Sequence, residues 1–139
     1  MDYDDSFIRT VLERTKVIAM VGASPRPDRP SHRVGQFLTA KGYRVIPVNP
    51  GQAGKELFGV TAVASLSDIT EPVDMVEIFR RAEKVGPVVD EALGMDGLQT
   101  IWMQLNIVNE EAAAKARAAG LDIIMDRCPA IEYPRLIGG

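Results

Sequence analysis

The sequence predicts an α/β fold built on a doubly wound, parallel five-stranded sheet with helices on both faces. Two observations predict it. Short runs rich in β-branched and other apolar residues alternate with longer segments of helical period, and Gly, Pro or Asn falls between them. Most of the short runs are continuously apolar rather than alternating, as parallel strands covered on both faces require. The strands fall at residues 16–21, 43–48, 74–79, 100–104 and 121–125. The first helix, 4–14, places Phe7, Ile8, Val11 and Leu12 on one face. Ser31 caps a second helix over 32–40 that ends at Gly42, and a third covers 80–93 and ends at Gly94. The fourth has Asn109 as N-cap and Glu110 and Glu111 in its first turn, and it stops at Gly120. Right-handed crossovers favour the strand order 3-2-1-4-5, with the switch point between the first and fourth strands. The loop 49–65, with Gly51, Gly54 and Gly59, is long enough to serve a function or to carry some structure of its own.

Composition bounds the chemistry. A chain of 139 residues with 46% hydrophobic and 25% charged residues reads as one domain, 1–139, with a self-standing core. A single histidine and a single cysteine exclude a disulfide framework and a His/Cys metal site, so no metal is expected, and any catalytic triad would have to use His32. The net charge of −3 argues against general nucleic-acid binding, which is built on phosphate neutralisation. The N-terminus has no signal-peptide pattern, and the longest apolar run, 17–21, is far short of the roughly 20 residues of a membrane span. The expectation is a cytoplasmic protein with no membrane association.

Ligands of open parallel sheets bind beyond the carboxyl ends of the strands. After the first strand come Gly22, Ala23, Ser24 and Pro25, then Arg26, Asp28 and Arg29 ahead of a helix. Gly22 and the small Ala23 would admit a phosphate to the backbone, Ser24 offers a hydroxyl, and the helix start supplies N–H groups. A tight strand-to-helix turn accounts for the same glycine without a ligand, but the arginines held over the loop favour an anion site. The second and third glycines of G-x-G-x-x-G are absent. The second strand ends at Val48, Asn49 and Pro50 rather than at an acid that would clasp a ribose 2′-hydroxyl. NAD is therefore disfavoured. With Arg26, Arg29, Arg33, Lys41 and Arg44 close in sequence, a nucleotide carrying an extra phosphate is favoured, and both NADP and coenzyme A (CoA) answer to that description.

Six motifs follow one another in order: Val-Gly-Ala-Ser-Pro (21–25), Asp-Arg-Pro-Ser (28–31), Gly-Tyr-Arg-Val-Ile-Pro-Val-Asn-Pro (42–50), Val-Asp-Met-Val-Glu-Ile-Phe-Arg-Arg (73–81), Trp-Met-Gln-Leu (102–105) and Met-Asp-Arg-Cys (125–128). Over 7–136 this series resembles the small CoA-binding protein family, a stand-alone, Rossmann-like counterpart of the N-terminal domain of the succinyl-CoA synthetase α subunit and of ADP-forming acyl-CoA synthetases. The resemblance implies that Gly22, Ala23, Ser24 and Pro25 cradle a diphosphate with Arg26 nearby. It also implies that Val48, Asn49 and Pro50 line the adenosine, that Phe79 and Arg80 close over the nucleotide, and that Gln104 faces the pantetheine arm. The family often has Glu-His after the Asp-Arg-Cys segment where this chain has Glu132 and Tyr133, so no imidazole role is carried over. Pro129 and Ala130 replace residues that are usually larger. The synthetases also use a phosphorylated histidine on a separate domain, for which this chain has no room.

Individual residues each admit a bland reading. Cys128, beside Arg127 and a helix start, is either a reactive thiol near that of CoA or a small buried hydrophobe. His32 reads as a solvated first-turn residue, Trp102 as core, and Met20, Met75, Met103 and Met125 as core filler. Asp126 and Glu132 offer an acid–base pairing, but salt bridges to Arg127 or Arg135 explain them more simply. The expected function is the binding of CoA or an acyl-CoA by a binding or regulatory protein without catalysis of its own. The alternatives are an NADP-dependent oxidoreductase, or a partner subunit of an ADP-forming acyl-CoA synthetase; a homodimer or a separate protein partner is left open.

Overall fold

The computed structural model describes residues 1–138. In chain order its elements are α1 (Asp5–Arg14), β1 (Val17–Val21), α2 (Pro30–Ala40), β2 (Arg44–Val48), β3 (Glu56–Leu57), β4 (Val60–Thr61), β5 (Met75–Ile78), α3 (Val85–Ala92), β6 (Thr100–Met103), α4 (Glu110–Ala118), β7 (Asp122–Ile124) and α5 (Pro129–Leu136). Strands β2-β1-β5-β6-β7 form one parallel sheet, and β3 and β4 form a small antiparallel ribbon. Because side chains alternate across a strand, Val76 and Ile78 of β5 pack with α3 and α4, while Met75 packs on the opposite face with α1 and α2. Met20, Met75, Met103 and Met125 are fully buried core residues, as expected. No helix among the described residues is long and apolar enough to cross a membrane.

The strand order corrects the expectation. Counting only the five strands of the large sheet, it is 2-1-3-4-5, not 3-2-1-4-5, and the switch point lies between β1 and β5. The cause is in residues 49–65. On leaving β2 the chain folds back on itself, and Val63 forms a parallel bridge to Val48: the Val63 N–H donates to the Pro47 carbonyl at 3.0 Å and the Asn49 N–H to the Val63 carbonyl at 2.9 Å. The carboxyl end of the outer edge of β2 is thereby occupied, and the next long strand enters on the far side of β1. Asp74 fixes it there, one carboxylate oxygen accepting the N–H groups of Lys16 and Val17, each at 2.9 Å.

Two helix starts also differ. Arg29 is the N-cap of α2 and Pro30 its first residue, the position at which a missing N–H is harmless; Ser31 lies inside the helix and does not cap it. The segment 80–93 divides into a 3-10 turn, Ala82–Lys84, followed by α3, because Pro87 is tolerated only in a first turn and so sets the start at Val85. Arg80 and Arg81 are thus left in the loop after β5. Asn109 caps α4 as expected, its side chain accepting the Ala112 N–H at 3.0 Å. The helix start after Cys128 extends to Leu136 as α5.

One ionisable group lies inside the core. Glu77 is fully buried in the middle of β5, level with Met20 and Trp102 on the flanking strands, and neither carboxyl oxygen has a hydrogen-bond partner among the described residues. Burial pushes its carboxyl well above the usual carboxylate range and so favours the neutral form.

Candidate functional site

The carboxyl ends of β2, β1 and β5 meet at Gly22. Its N–H donates to the Val48 carbonyl at 2.9 Å, and the Phe79 N–H donates to the Val21 carbonyl at the same distance. At φ +90°, and with a hypothetical Cβ only 2.5 Å from the Phe79 carbonyl oxygen, position 22 accepts glycine alone. The turn that follows is braced internally. Ser31 Oγ accepts the Ser24 N–H and Ser24 Oγ accepts the Arg26 N–H, both at 3.1 Å. His32 Nδ1 lies 3.0 Å from the Ser24 carbonyl. A carbonyl can only accept, so Nδ1 carries the proton, and His32, expected to be merely solvated, instead anchors the loop while its ring stands against Phe58.

Above this turn lies a cavity of about 670 Å³ whose walls include Gly22, Ser24, Phe79 and Gln104. Four arginines rim it, Arg26, Arg29, Arg80 and Arg81, against the single acid Glu83. Arg26 pairs with Asp28 at 3.3 Å and Arg81 with Glu83 at 3.4 Å, whereas Arg29 and Arg80 form no salt bridge among the described residues. Oriented guanidinium groups without a protein anion favour an anionic ligand. A second cavity, about 550 Å³, shares Gly22, Phe79 and Arg80 with the first and adds Val48, Asn49 and Pro50. A third, also about 550 Å³, shares Pro30, Gln104, Leu105 and Asn106 with the first and ends at Cys128. Their shared lining residues set the three side by side as a trough across the sheet, from β2 to the start of α5.

Most of the residues singled out in the sequence thus come together, with qualifications. Ala23 is fully buried beneath the turn and Pro25 is exposed beside it; neither lines these cavities. Asn49 has both ends of its amide engaged, donating to the Ala23 carbonyl at 2.8 Å and accepting the Gly51 N–H at 3.0 Å, so it shapes the wall by tying β2 to the turn. Lys41 and Arg44 lie at the opposite end of the sheet. Arg44 forms a two-point pair with Glu71 at 2.5 and 2.9 Å, which lowers the Glu71 carboxyl, and Lys41 sits over the Phe37 and Tyr133 rings. Their closeness to the site in sequence does not survive the crossover. Sequence reading missed Arg81 and the turn 105–107; the Arg80-Arg81 pair was the available signal for the first.

Cys128 is 6% exposed at the N-cap of α5. Arg127 turns from it toward the N-terminus, with Nη2 donating to the Met1 carbonyl at 2.7 Å and the guanidinium over the Tyr3 ring. Trp102 is core, as expected, and its indole N–H donates to the Arg127 carbonyl at 2.8 Å. Asp126 and Glu132 are not partners: Asp126 accepts the Asn106 N–H at 2.7 Å, and buried Glu132 pairs with Arg135 at 2.7 Å. Tyr133 lines none of the three cavities and stands edge-on to Phe37 and Tyr43. Among the described residues no group of three or more His, Cys, Asp or Glu side chains is placed to hold a metal ion.

Similar proteins agree with this geometry. YneT of Bacillus subtilis (strain 168) is 45% identical over 121 residues, 87% of each chain. The structure of cell-free ID.343 from Thermus thermophilus superposes with a TM-score of 0.92 at 40% identity, over 96% of this chain and 99% of that one. An acetyl-coenzyme A synthetase 1 of Ca. Korarchaeum cryptofilum, solved with phosphate and ADP, matches 78% of this chain with a TM-score of 0.64 at 25% identity, and the match spans 25% of that longer chain. Residues 16–134 match the CoA-binding domain across the whole sheet and its site, and the chain belongs to that family.

Proposed function

We propose that the protein binds coenzyme A along the trough, as a single-domain, cytoplasmic binding or regulatory module without catalysis of its own. The observation that carries this reading is the run of adjoining cavities, cationic in the middle and bounded by shared residues, which suits a ligand with an anionic centre and two long ends. The adenosine lies against Val48, Asn49 and Pro50. The diphosphate sits over Gly22 and Ser24, on the turn shaped by Ala23 and Pro25, with Arg26 and Arg80 as its counter-charges and Phe79 beside it. The pantetheine arm passes Gln104 and brings its thiol toward Cys128.

Family membership supports CoA over NADP, and so does Asn49, which stands where a dinucleotide site would place an acid. The likeness to part of an acetyl-coenzyme A synthetase favours a second reading, in which the chain works with a separate protein that supplies the remaining ligase parts. Calorimetric titration with CoA, NADP and NAD tests the proposal: micromolar binding of CoA with no nicotinamide response supports it, and the reverse overturns it. Activity appearing only on addition of a synthetase-type partner would favour the second reading.

A further inference from the structure

The third cavity differs in character from the cationic one it joins. Val34, Phe37, Leu105, Cys128 and Ala130 supply apolar walls, no acid lines it, and its one cation, Arg33, donates to the Asp28 carbonyl at 3.0 Å. At the junction stands Gln104, only 6% exposed, with its amide oxygen Oε1 buried and lacking any hydrogen-bond partner among the described residues. A buried acceptor without a donor is costly, and because Gln104 lines both cavities, rotation about its broad terminal torsion would bring Oε1 to a ligand N–H. An amide acceptor at the mouth of an apolar chamber suits a hydrocarbon group carried on an amide-bearing arm.

We propose that this chamber receives the acyl chain of an acyl-CoA thioester, a neutral aliphatic chain of short to medium length, and that Gln104 Oε1 accepts the N–H of the pantetheine amide next to the thioester. The inference rests on the CoA reading above and names the ligand class that the same trough prefers. Each methylene buried in the chamber tightens binding roughly three- to fourfold, until the chamber is full.

The test is calorimetric titration of the full chain with CoA, acetyl-CoA, butanoyl-CoA, hexanoyl-CoA and succinyl-CoA. The expected result is hexanoyl-CoA binding at least tenfold more tightly than CoA, with the gain growing along the series. Ala130→Trp, which fills the chamber from its half-buried rim, should bring the hexanoyl-to-CoA affinity ratio close to one, and the milder Ala130→Leu should lower it partway. CoA binding with no dependence on chain length overturns this inference and leaves the CoA reading intact. A preference for succinyl-CoA overturns the neutral chain and points to Arg33. No binding across the whole series overturns both.

Discussion

The carbonyl oxygen of Phe79 lies where a side chain on residue 22 would begin, 2.5 Å from a Cβ built at Gly22. This contact sets the width of the switch-point crevice, because β1 and β5 can close to this spacing only if one partner has no side chain. Gly22→Ala should destabilise the fold by about 1–3 kcal/mol, combining the positive-φ strain with the clash. Separating the strand ends should also weaken CoA. Urea unfolding and calorimetry on the same sample check both effects; an alanine variant of unchanged stability would show that the crevice relaxes freely.

Arg80 borders both the cationic cavity and its neighbour toward β2, and among the described residues it has no protein anion to release. Arg80→Ala should therefore weaken CoA by about 1.5–3 kcal/mol, roughly ten- to hundredfold, the worth of a charge-assisted hydrogen bond, and leave adenosine almost unaffected. Arg26→Ala should act in the same direction but more weakly, because Arg26 is already paired with Asp28. Titrations of both variants with CoA and adenosine distinguish phosphate contact from a general loss of fold, which would weaken the two ligands together.

Glu77 gives the stability a definite pH dependence. In the unfolded chain its carboxyl ionises near the usual value of 4.5, whereas in the folded core it keeps its proton well above that. Between these two points the native state binds the extra proton. The stability Glu77 contributes is thus present below the unfolded pKa and lost as pH rises through the folded one, by up to about 1.4 kcal/mol per pH unit. Glu77→Gln should abolish that slope above pH 4.5 and make the protein more stable than the parent at pH 7. Denaturation midpoints measured from pH 4 to 8 decide this; parallel curves for parent and variant would rule it out.

Cys128 closes the trough beyond Gln104. Incubation with CoA disulfide should join one CoA to the protein: the Cys128 thiolate attacks one sulfur, a new S–S bond forms, and the second CoA leaves as its thiol. At 6% exposure the reaction should be slow. Intact mass spectrometry reads the addition of a single CoA, and Cys128→Ser should show none. A parent protein that stays unmodified after prolonged incubation would leave Cys128 as a core residue.

The fold class and the ends of β1, β2, β5 and β6 were legible because continuous apolar runs and the turn residues after them are local signals. The strand order was not, since it depends on the fold-back that brings Val63 to Val48, a contact between residues whose intervening loop carries no strong strand pattern. Sequence proximity also misled at Lys41 and Arg44, which a single crossover carries to the opposite end of the sheet from Arg26. The trough itself emerged from several short motifs, each ending a strand. The extent of its third chamber was hidden, because it depends on how α2 and the first turn of α5 are set around the turn at Leu105.

The strip around Val63 that redirects the topology also bears on how these molecules behave beside one another. A bare outer strand invites a neighbouring chain to extend its ladder. On β2, Pro47 has no N–H to offer, and its carbonyl and the Asn49 N–H are both already held by Val63. At the other flank β7 is only three residues long and opens on Asp122, ion-paired with Arg14 at 2.6 Å. The carboxyl end of β2 and the short β7 therefore offer little purchase for edge-to-edge aggregation, which favours helices or loops as the surfaces through which copies of this chain would meet.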